Sequence, residues 1–209
     1  MLRGNPRRRK PIGEFVDKSR SVSEAYYAFL EETELAIPEM ENRLQSMINV
    51  DPDFLDSYLY LAELYYQTDD PHSYSRLIYD AYIRAPYMIA DKDGHYPEQL
   101  SWRWLENRHI IRSLSNFALL QWDQGDIRLA LEIYRKLLAS NLHDAIGARY
   151  AILALRMGYG PDYERLFLPD IEPVYGLDGI KLDKWFTKHS KQFPEEFRSL
   201  KTYAKGLVD

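Results

Sequence analysis

Apolar side chains recur at intervals of three and four residues from about residue 21 to residue 158, which predicts a series of amphipathic helices. The clearest stretch covers residues 111–158, where two helical runs meet at a turn formed by Gly125 and Asp126 and a third run follows. A helix pair of this kind cannot bury its apolar face alone, so it needs neighbours stacked on either side. The pattern therefore predicts an all-α fold, a short solenoid of helix pairs.

A spacing of 34 residues relates equivalent positions of successive units. Pro52 and Pro86 lie 34 residues apart, and so do Leu114 and Ala148. We expect Pro86 to close its unit. Between these two stretches the chain contains 22 residues more than the 34-residue period requires. We therefore interpret residues 87–108 as an insertion between two helix pairs.

The two ends of the chain differ from the repeats, which occupy residues 21–160. Residues 1–20 are predicted to be a basic flexible arm, because glycine and proline interrupt them and apolar periodicity is absent. They carry a net charge of +5, whereas the rest of the chain carries −10. Residues 161–209 are predicted to be a C-terminal helical cap, as the end of a solenoid has one face that must meet water.

Composition narrows the possible functions. The chain is 45% hydrophobic and 28% charged, which is typical of a globular protein, and it contains no cysteine, which excludes disulfides and thiolate metal sites. No apolar run approaches transmembrane length and the N-terminus lacks the apolar run of a secretory signal, so we expect a cytoplasmic protein.

Catalytic and cofactor motifs are missing from the sequence. The five histidines are scattered, and no phosphate-binding glycine loop or nucleophile elbow occurs. Residues 91–95 have some likeness to a calcium loop, but Ile89 and Leu100 stand where ligands should be, so we interpret them as a turn. We expect no catalytic residues, cofactor or metal.

Two of the predicted units resemble the tetratricopeptide repeat. In that superfamily the first helix follows W-x2-L-G-x2-Y and the second A-x3-F. The matching residues here are Tyr58, Leu61, Ala62 and Tyr65 in one unit, and Ala130 and Tyr134 in the next. The resemblance implies a right-handed stack with a concave groove lined by the first helix of each pair. Tyr74 departs from it, because a small alanine is usual at that position.

A narrower resemblance is to a prokaryotic subgroup that is similar to the suppressor-of-tumorigenicity-7 type of repeat protein. It rests on Trp104, Arg108 and Arg112, and on the motif N-x-x-D-x-x-G-x-R-Y at residues 141–150. This likeness supports the fold more than any function.

The repeat spacing also projects candidate binding residues into the groove. Arg112, Arg149 and Arg156 would form a cationic strip that could hold a carboxylate, with Asn116 donating beside it. Tyr66 and Trp122 would be aromatic anchors, and Glu63 lies on the same face. The alternative is that Arg108, Arg112 and Arg149 join adjacent helices by pairing with Asp123, Asp144 or Glu106.

The predicted function is a non-catalytic adaptor that binds a peptide or a partner helix in the groove. One alternative is a nucleic-acid-associated protein that uses the basic arm, although the acidic body disfavours it. Another is a structural subunit whose groove is filled by its own residues 161–209.

Overall fold

The computed structural model describes residues 13–169, 176–198 and 200, and these residues form an all-α fold. Short 3-10 turns occupy Leu105–Asn107, Tyr163–Phe167 and Ser190–Gln192. The α-helices are α1 (Ser21–Leu30), α2 (Ile37–Val50), α3 (Asp56–Gln67), α4 (Pro71–Ile89), α5 (Arg108–Asp123), α6 (Ile127–Ser140), α7 (Ala148–Arg156) and α8 (Gly179–His189).

Aspartates start several of these helices. The carboxylate of Asp70 accepts a hydrogen bond from the backbone N–H of Ser73 at 3.0 Å, and Asp126 does the same for Leu129 at 3.0 Å. Such a side chain satisfies a backbone donor that has no partner within the helix. The turn before α6 also needs Gly125, whose φ of 87° favours a residue without a side chain.

The helices stack in chain order, which is the arrangement of a solenoid. Each helix from α2 to α7 packs on the next one, and α3 also lies against α5, the first helix of the following pair. The repeat positions Tyr58, Leu61 and Ala62 are buried between them, as are Ala130 and Tyr134. The predicted fold class, a short solenoid of helix pairs, is confirmed.

One predicted boundary is wrong. Pro86 was expected to close its unit, but it lies inside α4, which continues to Ile89. The extra turn is held because Ala85 and Ile89 are fully buried, and the carbonyl of Pro86 still accepts a bond from Ala90 N–H at 2.7 Å. Packing of the apolar face therefore outweighs the loss of one helical hydrogen bond at the proline.

The described part of the predicted arm packs on the insertion. Phe15 N–H donates to the carbonyl of Gln99 at 2.9 Å, and the side chain of buried Asn107 donates to the Phe15 carbonyl at 2.8 Å. The Asn107 side-chain oxygen in turn accepts from Asp17 N–H at 2.9 Å. The prediction of a flexible arm is therefore wrong for residues 13–20, since a long-range amide partner fixes their backbone.

The basic run at residues 7–10 lies outside the described residues. The nucleic-acid alternative depends on this run, so it stays a prediction. No described helix is long and apolar enough to cross a membrane.

Residues after α7 cover that end of the stack with aromatic side chains. The ring of Tyr163 stacks on Trp122 at 5.6 Å and on Trp185 of α8 at 6.2 Å. Phe197 is fully buried, and its ring lies 4.9 Å from Phe186. The last part of the predicted cap, residues 201–209, lies outside the described residues.

Candidate functional site

The first helices α3, α5 and α7 carry the side chains that were projected into the groove. Leu59 and Asn116 are half-buried, and Glu63 and Leu119 are exposed. Tyr66, at the C-terminal end of α3, is 65% exposed. The Nδ2 of Asn116 donates to the Arg112 carbonyl of its own helix at 2.9 Å, so at most one of its two N–H groups is available to a ligand.

Tyr66 belongs to a cluster that also contains Glu63, Tyr74 and Asp123, which we call the Tyr66 surface. The rings of Tyr66 and Tyr74 lie 5.4 Å apart with their planes tilted by 53°. Burial raises the pKa of the Tyr74 hydroxyl, and the nearby charge of Glu63 and, more weakly, of Asp123 raises it further. Two aromatic rings thus lie in contact, and the two carboxylates whose charges act on Tyr74 are both exposed.

Arg112 is held by the protein itself. Its guanidinium pairs with the buried carboxylate of Asp56, the first residue of α3, and lies 5.3 Å from the ring of Trp102. This contact joins α3, α5 and the insertion. Arg112 is therefore a link between elements, although its partner is Asp56 and not one of the three acids expected from the sequence.

Arg149 pairs with acids on both sides. Its guanidinium lies 3.5 Å from Asp144 and 3.4 Å from Asp183 of α8, and it also bonds the hydroxyl of Tyr150. The pairing with Asp144 agrees with the alternative interpretation, in which this arginine joins adjacent helices.

Arg156 is bound by the C-terminal segment. It contacts Glu195 at 3.2 Å, pairs with Glu196, and lies 4.7 Å from the ring of Phe193. Glu196 also accepts a bond from Arg135 Nε of α6 at 2.7 Å. Because each of the three arginines meets a carboxylate of its own chain, they do not form the free cationic strip that we predicted.

Trp122 is also not available as an anchor for a partner. Its side chain is 3% exposed, and its indole N–H donates to the Tyr159 carbonyl at 3.2 Å. The repeat spacing placed it on the groove face, but the chain that follows α7 folds over it. Tyr66 and Glu63 remain the exposed members of the predicted set.

Residues 91–95 form a turn closed by a side chain. One carboxylate oxygen of Asp91 accepts from the backbone N–H groups of Asp93 and His95, each at 2.9 Å. This is an Asx-type turn, which agrees with our interpretation of the segment as a turn.

Asp144 organises the junction before α7. Its two carboxylate oxygens accept from the backbone N–H groups of Ala148 at 2.7 Å and Arg149 at 3.0 Å. Burial raises the pKa of this carboxyl to about 6, although both backbone bonds and the Arg149 charge act in the opposite direction. The folded protein therefore takes up a proton here at a higher pH than the unfolded chain does.

We expect Asp144→Asn to remove a pH-dependent part of the stability. Since the folded pKa is raised, the free energy of unfolding of the original protein should increase, relative to the variant, as pH falls from about 7 to about 4, by roughly 2–3 kcal/mol. Urea unfolding of both proteins at several pH values measures this slope. A constant offset between them is expected as well, because the new amide group faces one of the two backbone donors.

A difference that stays constant with pH, or that changes in the opposite direction, would contradict the raised pKa. Asparagine suits this experiment because Asp144 has a φ of 49°, a region that asparagine tolerates better than most residues do.

Sequence reasoning missed two parts of this arrangement. Tyr74 was noticed only as a departure from the repeat. A large side chain at a position that usually holds alanine has no room between the paired helices, so its ring is expected to project beside the neighbouring helix. The ion-paired cluster around Arg20 was hidden because residues 1–20 were interpreted as an arm. Arg20 contacts Asp17 at 2.6 Å and Asp51 at 2.8 Å.

The fold and the site together define a short α-solenoid of helix pairs with an aromatic, acidic patch on α3, α4 and α5. No family model matches the chain, and no curated protein matches it. Among solved structures, a crystal structure of MamA is similar over 92% of this chain and 87% of that chain, with 10% identity and a TM-score of 0.39. So low a TM-score transfers no property of MamA to this protein, and the likeness to the prokaryotic subgroup stays a prediction.

Proposed function

We propose that this protein is a non-catalytic interaction module that binds a basic side chain of a partner segment at the Tyr66 surface. The observation that carries the proposal is the exposed Tyr66 ring beside Tyr74, with Glu63 and Asp123 close by. A lysine or arginine over a tyrosine face gains about 0.5–1 kcal/mol at an exposed site. Carboxylates next to the rings add charge attraction and fix the direction of approach.

The Tyr66 surface is acidic, whereas the sequence analysis predicted a cationic strip in the groove. Arg112, Arg149 and Arg156 are compensated by acids of the same chain, so they offer little to a carboxylate ligand. Glu63 and Asp123 are exposed acids on the same helices as the projected groove. A cationic partner therefore suits the surface better than an anionic one.

Apolar side chains next to the Tyr66 surface give the partner a second point of contact. Half-buried Leu59 lies one helical turn before Glu63 on α3, and exposed Leu119 lies one turn before Asp123 on α5. Side chains four positions apart lie on the same helix face. A partner with a lysine or arginine about one helical turn from an apolar residue would match this arrangement, either as a helix or as an extended peptide.

The test is affinity capture from a native lysate with the intact protein and with a Glu63→Lys, Tyr66→Ala double variant. We expect the variant to retain less than about a tenth of the captured partner, which corresponds to about 1.4 kcal/mol. The matched control is Tyr87→Ala on α4, which removes a tyrosine that is 91% exposed and should leave capture unchanged. Crosslinks from the partner should map next to Tyr66. Equal capture by the double variant would refute this surface.

A second candidate function is a structural subunit whose groove is filled by the chain itself. It is favoured by the contacts at α7, where Arg149 meets Asp183 and Arg156 meets Glu195 and Glu196. The two candidates concern different halves of the stack. If an intact surface at Tyr66 captures nothing while a chain shortened at residue 160 loses its solubility, the structural role is the better account.

A further inference from the structure

A polar cavity lies where three separate segments of the chain meet. Its volume is about 300 Å³, which is at the lower end of the range for sites that hold small molecules. The segments are residue 14 before α1, residues 98–103 of the insertion, and residues 140–143 at the end of α6. The side chains that line the cavity include Glu14, Glu98, Ser101, Arg103, Asn141 and His143.

Hydrogen bonds of the chain itself hold the segments around this cavity. The backbone N–H of Leu100 donates to the carbonyl of Ser140 at 2.7 Å, which joins the insertion to the end of α6. The indole N–H of Trp104 donates to the carboxylate of Glu14 at 2.6 Å, which joins the insertion to the segment before α1. The cavity is therefore formed before any ligand binds.

Asn141 is the observation that points to a ligand. The residue is 6% exposed, and its buried Nδ2 has no hydrogen-bond acceptor among the described residues. Native proteins pair nearly all of their buried donors, because an unpaired one costs stability. Asp144 and Arg149 of the same sequence motif do have partners. An acceptor oxygen of a small molecule in the cavity would supply the partner that Asn141 lacks.

Charged groups of both signs line the cavity and indicate the class of ligand. Within the described residues the guanidinium of Arg103 pairs with no carboxylate and lies 5.2 Å from the ring of Trp104, and Glu98 pairs with no cation. A simple anion would face the carboxylates of Glu14 and Glu98. A simple cation would face Arg103 and leave Asn141 without an acceptor. A small molecule with both a carboxylate and an ammonium group matches both signs.

We propose that this cavity binds a free α-amino acid. Its carboxylate accepts hydrogen bonds from Asn141 and Arg103, and its ammonium group is attracted by Glu14 and Glu98. Because the ligand contacts all three segments, it fastens the insertion to the end of α6. The cavity is separate from the Tyr66 surface, so this inference does not depend on the proposed function.

Thermal unfolding of the full-length protein tests the proposal, with each of the standard amino acids added in turn at about 10 mM. A ligand that binds only the folded state raises the Tm. We expect at least one amino acid to raise it by about 3–6 °C at about ten times its Kd. The methyl ester and the N-acetyl form of that amino acid lack one charge each, and each should bind at least about tenfold more weakly.

Two variants locate the binding site. Asn141→Leu removes the unpaired donor at similar side-chain volume, and the backbone φ of −139° at this position suits leucine. Its Tm without ligand should therefore not fall by more than about 2 °C, whereas amino acid binding should weaken at least about tenfold. A purely structural role of Asn141 would give the opposite result. Arg103→Ala should weaken binding as well, and it keeps the test valid if the first variant does not fold.

The matched control is Arg165→Ala, which removes an arginine whose side chain is 79% exposed on another element and should leave binding unchanged. Asn141→Leu should capture the partner of the Tyr66 surface normally, so the two proposals can fail independently. The proposal is overturned if no amino acid raises the Tm. It is also overturned if the N-acetyl form binds as well as the free amino acid, or if binding persists unchanged in both cavity variants.

Discussion

Replacing Arg20 with alanine will lower the free energy of unfolding by about 3–5 kcal/mol, because it removes one partner from a buried group of charges. The side chain is 7% exposed. Its Nε lies 2.6 Å from Asp17, and one terminal nitrogen lies 2.8 and 2.9 Å from the two oxygens of Asp51. The change leaves two carboxylates facing each other in a poorly hydrated site, which costs more than the loss of one exposed ion pair.

His109 connects the charged groups around Arg20 to the start of α3. Its Nδ1 accepts from Leu55 N–H at 3.1 Å, so the ring proton lies on Nε2 and is donated to Asp17 at 3.1 Å. The imidazole is fully buried and both of its nitrogens are used. A movement of Asp17 would therefore also disturb the start of α3, where Leu55 precedes the first helical residue.

Urea unfolding at neutral pH measures the effect of Arg20→Ala, and Arg43→Ala is the matched control. Arg43 also bonds two carboxylates, at 2.6 and 2.7 Å, but its pairs are exposed to solvent. Exposed pairs contribute little to stability, so the control should unfold near the midpoint of the original protein. Similar midpoints for the two variants would contradict the buried role of Arg20.

The Arg20→Ala variant should also change how the free energy of unfolding depends on pH in the acid range. Burial by itself raises the pKa of the Asp17 carboxyl, but the hydrogen bonds from His109 and Arg20 outweigh burial and hold the pKa below its usual value. Because the folded pKa of Asp17 is lowered, its ionised carboxylate contributes to the free energy of unfolding at pH values above the unfolded pKa, near 3.9. This contribution is lost as the pH falls through the folded pKa. Without Arg20, less of this acid-dependent stability should remain.

The helices were predictable because their signals are local. Pro71 and Asp126 mark helix starts in the sequence, and the structure begins α4 and α6 at or just after them. The end of α4 was not predictable in this way. Whether a helix continues past Pro86 depends on the burial of Ala85 and Ile89, which is decided by other helices.

The candidate site was less predictable, because periodicity gives the face of a residue but not its partner. Arg112 meets Asp56, which lies 56 positions earlier, and Arg156 meets Glu196, which lies 40 positions later. Neither acid stands out in the sequence. The exposure of Tyr66 and Glu63 was predictable because both lie on α3, where Tyr58, Leu61, Ala62 and Tyr65 match the repeat pattern and fix which face is buried.

Replacing Trp122 with alanine should lower the free energy of unfolding by about 3–5 kcal/mol, the range for a large aromatic side chain removed from a core. Its ring stacks on Tyr163 at 5.6 Å with the planes 24° apart, and Tyr163 continues the stack to Trp185. Trp122 therefore joins the repeats to the segment that covers α7. The expected loss combines apolar burial, the cavity left behind, and the bond to the Tyr159 carbonyl.

A double-mutant cycle of Trp122→Ala and Tyr163→Ala measures the free energy of the contact between the two rings separately from the other losses. We expect a coupling free energy of about 0.5–1.5 kcal/mol, the range for aromatic pairs in contact. Tyr87→Ala, which changes a ring that is 91% exposed, should alter stability by less than about 0.5 kcal/mol. If Trp122→Ala instead costs no more than the Tyr87 control and abolishes partner capture, Trp122 is an exposed anchor. The segment after α7 would then not cover the groove, and the arginines of α7 would be free to bind a carboxylate.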